Sequence, residues 1–202
     1  MNKPTGYDEA QVSGGFTPVE LGGHYAVIKQ VAERQSSAGK DMIVVLFDFV
    51  APDQQAGYFQ STFDLDDRPD KKWPYNGSMY IMVNDYKDST KTSRNFKTFC
   101  SCAEKSNNFD IKWGGSNWAA QFKGKRIGVV YGEVENEYDG KITMRHQPRW
   151  FCNFDKAADA RIPNPKYLNG TALRVPVSTT PALVNNDGFV NIPEGADDEI
   201  PF

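Results

Sequence analysis

The chain has 202 residues and a formal net charge of -3, with 39% hydrophobic and 13% aromatic residues, 17 Gly and 12 Pro. This length suits one domain of about 150 residues plus a tail, and the turn-rich, aromatic composition points to a β-rich fold over a helical bundle. No stretch reaches the ~20 apolar residues of a membrane span, Met1-Asn2-Lys3-Pro4-Thr5 lacks the apolar core of a signal peptide, and three cysteines without framework spacing argue against an oxidised scaffold, so a soluble, cytoplasmic protein with reduced thiols is expected.

Residues 1–20, with Pro4, Gly14-Gly15 and Pro18, have no hydrophobic periodicity and read as an extended lead-in. His24 to Arg34 alternates, placing Tyr25, Val27, Lys29 and Val31 on one face and Ala26 and Ile28 on the other, as a strand does. The turn Gln35 to Lys40 joins it to Met42–Val50, a β-branched and aromatic run apolar on both faces and expected at the centre of a sheet. Gly57 to Leu65 alternates again and is expected to be the third strand. Asp66 to Ser89 is irregular, with a further short strand expected at Met79 to Val83.

Thr90 to Lys105 places Phe96, Phe99, Cys100 and Ala103 on one helical face, and Asn107-Asn108 suits its end. A second irregular aromatic stretch, Phe109 to Gln121, follows. Lys125 to Glu135 and Lys141 to Phe154 are then strands joined at Tyr138-Asp139-Gly140, where Asp-Gly supplies the positive φ of a tight turn. The order β-β-β-α-β-β is that of an OB-fold, a five-stranded partly open barrel with one helix between strands 3 and 4. A sandwich and an open sheet with a covering helix are the competing architectures. The OB-like domain is assigned to 21–170, and the Pro- and Ser/Thr-rich 171–202 to a flexible, disordered linker and acidic tail.

Charge is unevenly spread along this plan. Residues 1–69 hold five basic and ten acidic side chains, 70–170 hold seventeen and eleven, and 171–202 hold Arg174 against Asp187, Glu194, Asp197, Asp198 and Glu199. The middle is therefore cationic, as phosphate binding requires, and much of the acidity belongs to the tail.

Catalytic chemistry finds little support. His24 and His146 lie outside metal spacing of a cysteine pair, and Cys100 and Cys102 diverge around a helix, so no metal or other cofactor is expected. Cys152 reads as structural. The carboxylate sets Asp64-Asp66-Asp67-Asp70 and Glu133-Glu135-Glu137-Asp139 read as solvated loop and hairpin ends, without a Walker loop, nucleophile elbow or HExxH. No enzyme and no catalytic residue is expected.

Single-strand binding needs only a cationic groove and flat side chains for stacking. The segment after the third strand carries Lys71-Lys72-Trp73-Pro74-Tyr75, then Tyr80 and Tyr86-Lys87, and the stretch after the helix carries Lys112-Trp113 and Trp118. Lys141, Thr143, Arg145, Gln147 and Arg149 alternate on one face of the last strand, with Ile142, Met144, Trp150 and Cys152 expected toward the core. Arg145 and Arg149 are the expected phosphate contacts, Trp73 and Tyr75 the expected stackers in an exposed loop. Lys40 and Tyr138 are added by analogy with where OB-folds bind. With Lys71, Lys72, Lys112 and Trp113 these make the candidate DNA-binding set.

The chain ends Asp197-Asp198-Glu199-Ile200-Pro201-Phe202. This hexapeptide resembles the acidic tip of bacterial single-stranded-DNA-binding proteins, typically Asp-Asp-Asp-Ile/Leu-Pro-Phe, with Glu199 a charge-conserving departure. Phe202 offers a ring and an α-carboxylate together, suited to an apolar pocket rimmed by Arg or Lys. Gly23-His24-Tyr25-Ala26-Val27-Ile28, Ser37-Ala38-Gly39-Lys40-Asp41-Met42 and Gly124-Lys125-Arg126-Ile127-Gly128-Val129-Val130 resemble the divergent single-strand-binding-like proteins of phages and mobile elements. The resemblance implies sequence-tolerant binding of single-stranded DNA and recruitment of replication, recombination and repair proteins by the tip; a homo-oligomer is a separate expectation. The alternatives are a phage or plasmid adaptor that uses the tail without binding DNA, and a strand-annealing or nuclease recombination protein.

Overall fold

The computed structural model describes residues 3–5, 7, 17–115 and 117–168. The chain divides after Lys166 into two units, and the elements below belong to the first. Strands β1 (Gly22–Gln35), β2 (Asp41–Phe49), β3 (Ser78–Met82), β4 (Arg126–Tyr138) and β5 (Lys141–Cys152) form one open antiparallel sheet in the order β3-β2-β1-β4-β5. Two helices are described, α1 (Tyr58–Asp64) and α2 (Arg94–Asn107), the latter between β3 and β4.

The expected third strand at Gly57 to Leu65 is α1, and the shorter run Ser78–Met82 takes its place beside β2. The cause is tertiary. Asp48, buried on β2, accepts the backbone N–H groups of Phe49 and Phe59 on the same carboxylate oxygen, each at 2.9 Å, and so supplies the first turn of α1 with an acceptor from a distant strand. Phe59 is then fully buried, with its ring 4.9 Å from Phe49 and 5.9 Å from Phe47. Full burial of such a side chain contributes about 1.5–3 kcal/mol.

Two bulges reset the alternation. Between Ile28↔Phe47 and Gln30↔Leu46 the extra residue Lys29 breaks the register, so Val31 joins Ala26 and Ile28 on the buried face instead of Tyr25 and Val27. Between Val130↔Trp150 and Tyr131↔Pro148 the extra residue is Arg149. Phe151 is therefore the buried residue, and Trp150 and Cys152, expected toward the core, stay half-buried.

The buried face comprises Ile43, Val45, Phe47 and Phe49 of β2, Ile81 of β3, Ile127, Val129 and Tyr131 of β4, and Phe151 of β5. Helix α2 closes over it with Phe96, Phe99, Cys100, Cys102 and Ala103. Ser93 caps that helix, accepting the Phe96 N–H at 3.1 Å while its hydroxyl donates to the Met82 carbonyl, and Asn108 ends it in the left-handed region at φ 49°. The β4–β5 hairpin turns through Asp139 (φ 50°) and Gly140 (φ 69°), with Tyr138 opposite Lys141, the two-residue turn that Asp-Gly favours. Among the described residues, no helix is long and apolar enough to cross a membrane.

Candidate nucleic-acid interface

The sheet face opposite the core carries Met42, Val44 and Leu46 of β2 paired with Met82, Tyr80 and Ser78 of β3. Tyr80 is 55% exposed and Tyr75, in the one-turn helix Tyr75–Gly77 just before β3, is 65% exposed; their rings lie 6.3 Å apart at 30°. Two exposed, nearly parallel rings form a platform with a free π-face, the feature on which a base stacks regardless of its identity.

Trp73, expected in an exposed loop as a stacker, is half-buried against the core, because its indole N–H donates to the Gly77 carbonyl at 3.0 Å and its ring packs 5.7 Å from Phe63. It fixes the turn that presents Tyr75. The turn is closed further by the Gly77 N–H on the Pro74 carbonyl and the Ser78 hydroxyl on the Tyr75 carbonyl. Lys71 places its ammonium 4.7 Å from the Phe63 ring centre, and Lys72 is exposed.

Tyr75 and Arg145 share a cleft of about 550 Å³ with Pro18, Val19, Asn76 and Gln147. Two of the residues proposed from sequence are thus brought to one place, and Arg145 is exposed there. The wall at 17–20 is pinned by side chains on four consecutive carbonyls. Tyr58 donates to Thr17 at 2.7 Å, Gln55 to Pro18 at 3.1 Å, His146 to Val19, and His24 to Glu20 at 3.0 Å. His24 is buried, 4.3 Å from the Phe49 ring and nearly parallel to it, and its other nitrogen meets Asp53 at 3.1 Å. Burial alone would raise the Asp53 carboxyl, but the His24 hydrogen bond, the N–H groups of Gln55 and Tyr25 and the charge of His24 outweigh it and hold the group below its ordinary 3.8.

The remaining candidates are dispersed. Lys40, in the β1–β2 turn, holds its ammonium 4.6 Å from the ring centre of Tyr86, itself 85% exposed. Tyr138 is exposed at the β4–β5 turn. Lys112 is exposed with its backbone held by Gln121, at 2.9 Å on its N–H and 3.1 Å on its carbonyl. Trp113 is 65% exposed and lies 5.7 Å from the buried Trp118 at 27°, beside a separate cleft of about 360 Å³ that Glu33 and Asp41 also line. Arg149, expected to meet phosphate, is half-buried, with one guanidinium nitrogen donating to the carbonyls of Glu133 at 3.3 Å and Asn164 at 3.1 Å. Asp197, Asp198, Glu199, Ile200, Pro201 and Phe202 lie outside the described residues.

Tyr80 and Tyr86 were visible in the sequence as aromatics but not as site residues. For Tyr80 the usable signal was its place between Met79 and Ile81, which gives it the opposite face of a short strand. Glu135, expected on a solvated hairpin end, is buried, because the chain at Lys166 runs alongside, pairing with Val134 and accepting the Glu135 N–H at 2.8 Å. Arg68 pairs with Asp66 at 2.7 Å and, chiefly through that hydrogen bond, lowers its carboxyl to about 2. Burial pushes the Cys100 thiol up to about 12 and the Cys102 and Cys152 thiols to about 11, so all three carry their protons at neutral pH. Among the described residues no group of three or more His, Cys, Asp or Glu is placed to hold a metal ion. No protein-family model and no curated protein matches the sequence.

Proposed function

We propose that this protein binds single-stranded DNA largely without sequence preference, through the Tyr75–Tyr80 platform and Arg145, and recruits replication, recombination or repair proteins through Asp197 to Phe202. The observation that carries the reading is the exposed tyrosine pair at 6.3 Å beside the cleft that Tyr75 shares with Arg145. The strand order β3-β2-β1-β4-β5 with α2 between β3 and β4 supports an OB-fold reading, in which the β2–β3 face and the β1–β2 and β4–β5 turns would meet the oligonucleotide. Lys40 and Tyr138 stand at those two turns.

Oligo-dT of thirty nucleotides should quench tryptophan fluorescence, with affinity falling steeply as salt rises. No detectable binding at low salt would remove the DNA-binding claim. Removing Ile200 to Phe202 should leave DNA affinity unchanged or slightly raised while abolishing recovery of partner proteins. Equal recovery with and without those residues would remove the docking role. The adaptor reading, docking without DNA binding, is favoured by the engagement of Arg149 on backbone carbonyls and of Trp73 on Gly77. The same titration decides it.

A further inference from the structure

Helix α2 has a face that the proposed interface does not use. Arg94, Lys97, Thr98, Ser101 and Lys105 line a groove of about 590 Å³. At about 100° per residue these five positions fall within a sector roughly 100° wide, and from Arg94 to Lys105 the stripe runs about 16 Å along the helix. Arg94, Lys97 and Lys105 are exposed. One carboxylate, Asp85, shares the groove; it accepts the N–H groups of Lys87 and Asp88 at 2.9 and 3.3 Å and keeps its negative charge. The groove is therefore lined by three cations against one carboxylate and is net positive, while the Thr98 hydroxyl is committed to the Arg94 carbonyl at 2.8 Å.

The groove continues into the seam between the two edge strands, whose earlier residues line the tyrosine cleft. A smaller cavity of about 300 Å³, lined by Met79 of β3 and Trp150 and Phe151 of β5, shares Arg94 and Thr98 with the α2 groove. Three to seven residues earlier on the same two segments, Tyr75 and Asn76 line the tyrosine cleft together with Met144 to Gln147. A line therefore runs from Tyr75 and Arg145, past Trp150, to Arg94, Lys97 and Lys105.

We propose that this cationic face of α2 is a phosphate tract, which carries the backbone of the bound single strand beyond the tyrosine platform. The proposal rests on the DNA-binding reading above and adds a direction to it. Bases stack at Tyr75 and Tyr80, and the following phosphates lie along α2. The occupant is a polyphosphate strand because Arg94, Lys97 and Lys105 present successive positive charges along the length of α2, which suits a regularly charged chain.

The test uses the full chain and compares the double variant K97Q/K105Q with a control that removes two exposed charges elsewhere, K123Q/K166Q. Affinity for dT30 and for a very short oligo-dT is measured across a salt series. Each lost phosphate contact lowers the slope of log K against log salt by about 0.7. The dT30 slope should thus fall by about 1.4 in K97Q/K105Q, while the short-oligonucleotide slope and the control stay at the wild-type value. An unchanged dT30 slope, or an equal fall in the control, overturns the tract while leaving binding at the tyrosines intact. An unchanged DNA slope together with lost binding of a poly-glutamate probe assigns the groove to an acidic protein partner and likewise overturns it. Failure of the wild-type chain to bind dT30 at all overturns the DNA-binding reading and the tract with it.

Discussion

The two irregular aromatic segments, 66–89 and 109–122, look alike as sequence and end up doing opposite things. Both set lysines beside large rings, Lys71-Lys72-Trp73-Pro74-Tyr75 in the first and Lys112-Trp113 in the second. In the second, Trp118 and Phe122 are buried, their rings 4.8 Å apart, and Phe122 packs 5.0 Å from Phe99 of α2, so the segment plugs the core and leaves Trp113 at the surface. In the first, one ring goes inward and the next outward. Trp73 anchors the turn, and Tyr75, two residues on, is exposed beside Tyr80. Whether an aromatic packs or presents itself is decided by what lies beneath the loop, and lysine neighbours do not report it.

The difference can be tested by substitution, beginning with the largest effect. Phe122→Ala should cost about 3–5 kcal/mol in denaturant unfolding, because a fully buried ring is replaced by a cavity. A cost under 1 kcal/mol would mean that the second segment is not a plug. Asp53→Ala should cost about 1–3 kcal/mol, since it leaves the buried His24 ring nitrogen and the Tyr25 and Gln55 N–H groups without their acceptor.

The pH dependence of that clamp has a definite sign. The folded-state pKa of Asp53 lies below the ordinary 3.8, so its contribution is fully present above that value and is lost as the pH falls through the lower folded pKa. Acid titration of the wild type should show a loss of stability below about pH 4 that Asp53→Asn lacks. Parallel acid profiles would remove the clamp from the account.

Gly77→Ala should cost about 1–3 kcal/mol, because a Cβ there would stand 2.7 Å from the Phe59 ring and 2.8 Å from the Trp73 indole nitrogen. It should also weaken DNA binding by displacing Tyr75. Tyr75→Ala and Tyr80→Ala should each lower oligo-dT affinity by about 1–3 kcal/mol. Their effect on unfolding should stay within about 0.5 kcal/mol, as for exposed positions generally. Loss of stability without loss of affinity would place the tyrosines in the same class as Phe122. The smallest expected effect is that of Trp113→Ala on dT30 affinity, because its cleft includes the Glu33 and Asp41 carboxylates and lies apart from the tyrosine cleft.

Some of this is legible in the sequence alone. Asp139-Gly140 specified the β4–β5 turn because two consecutive positive φ values are strongly restricted to such residues, and the spacing of Phe96, Phe99, Cys100 and Ala103 specified α2 because a helical stripe recurs every three to four residues. The lysine-rich, Pro-containing surroundings of Tyr75 and the polar alternation around Arg145 mark both as contacts in the sequence, and the fold brings them to one cleft.

What the sequence by itself determined, then, was local: elements whose hydrogen bonds and turns are closed within a few residues, and the uneven distribution of charge along the chain. Tertiary structure decided the rest. Gly57 to Leu65 became a helix because Asp48, on another strand, meets its first turn, and Val31 and Phe151 turned inward because Lys29 and Arg149 are bulged out of register. Trp73 parted from Tyr75 because Gly77 and Phe63 lie beneath one and not the other. In each case the deciding partner lies outside the local pattern or slips its register by one residue, and a period of two or 3.6 along the chain carries no record of it.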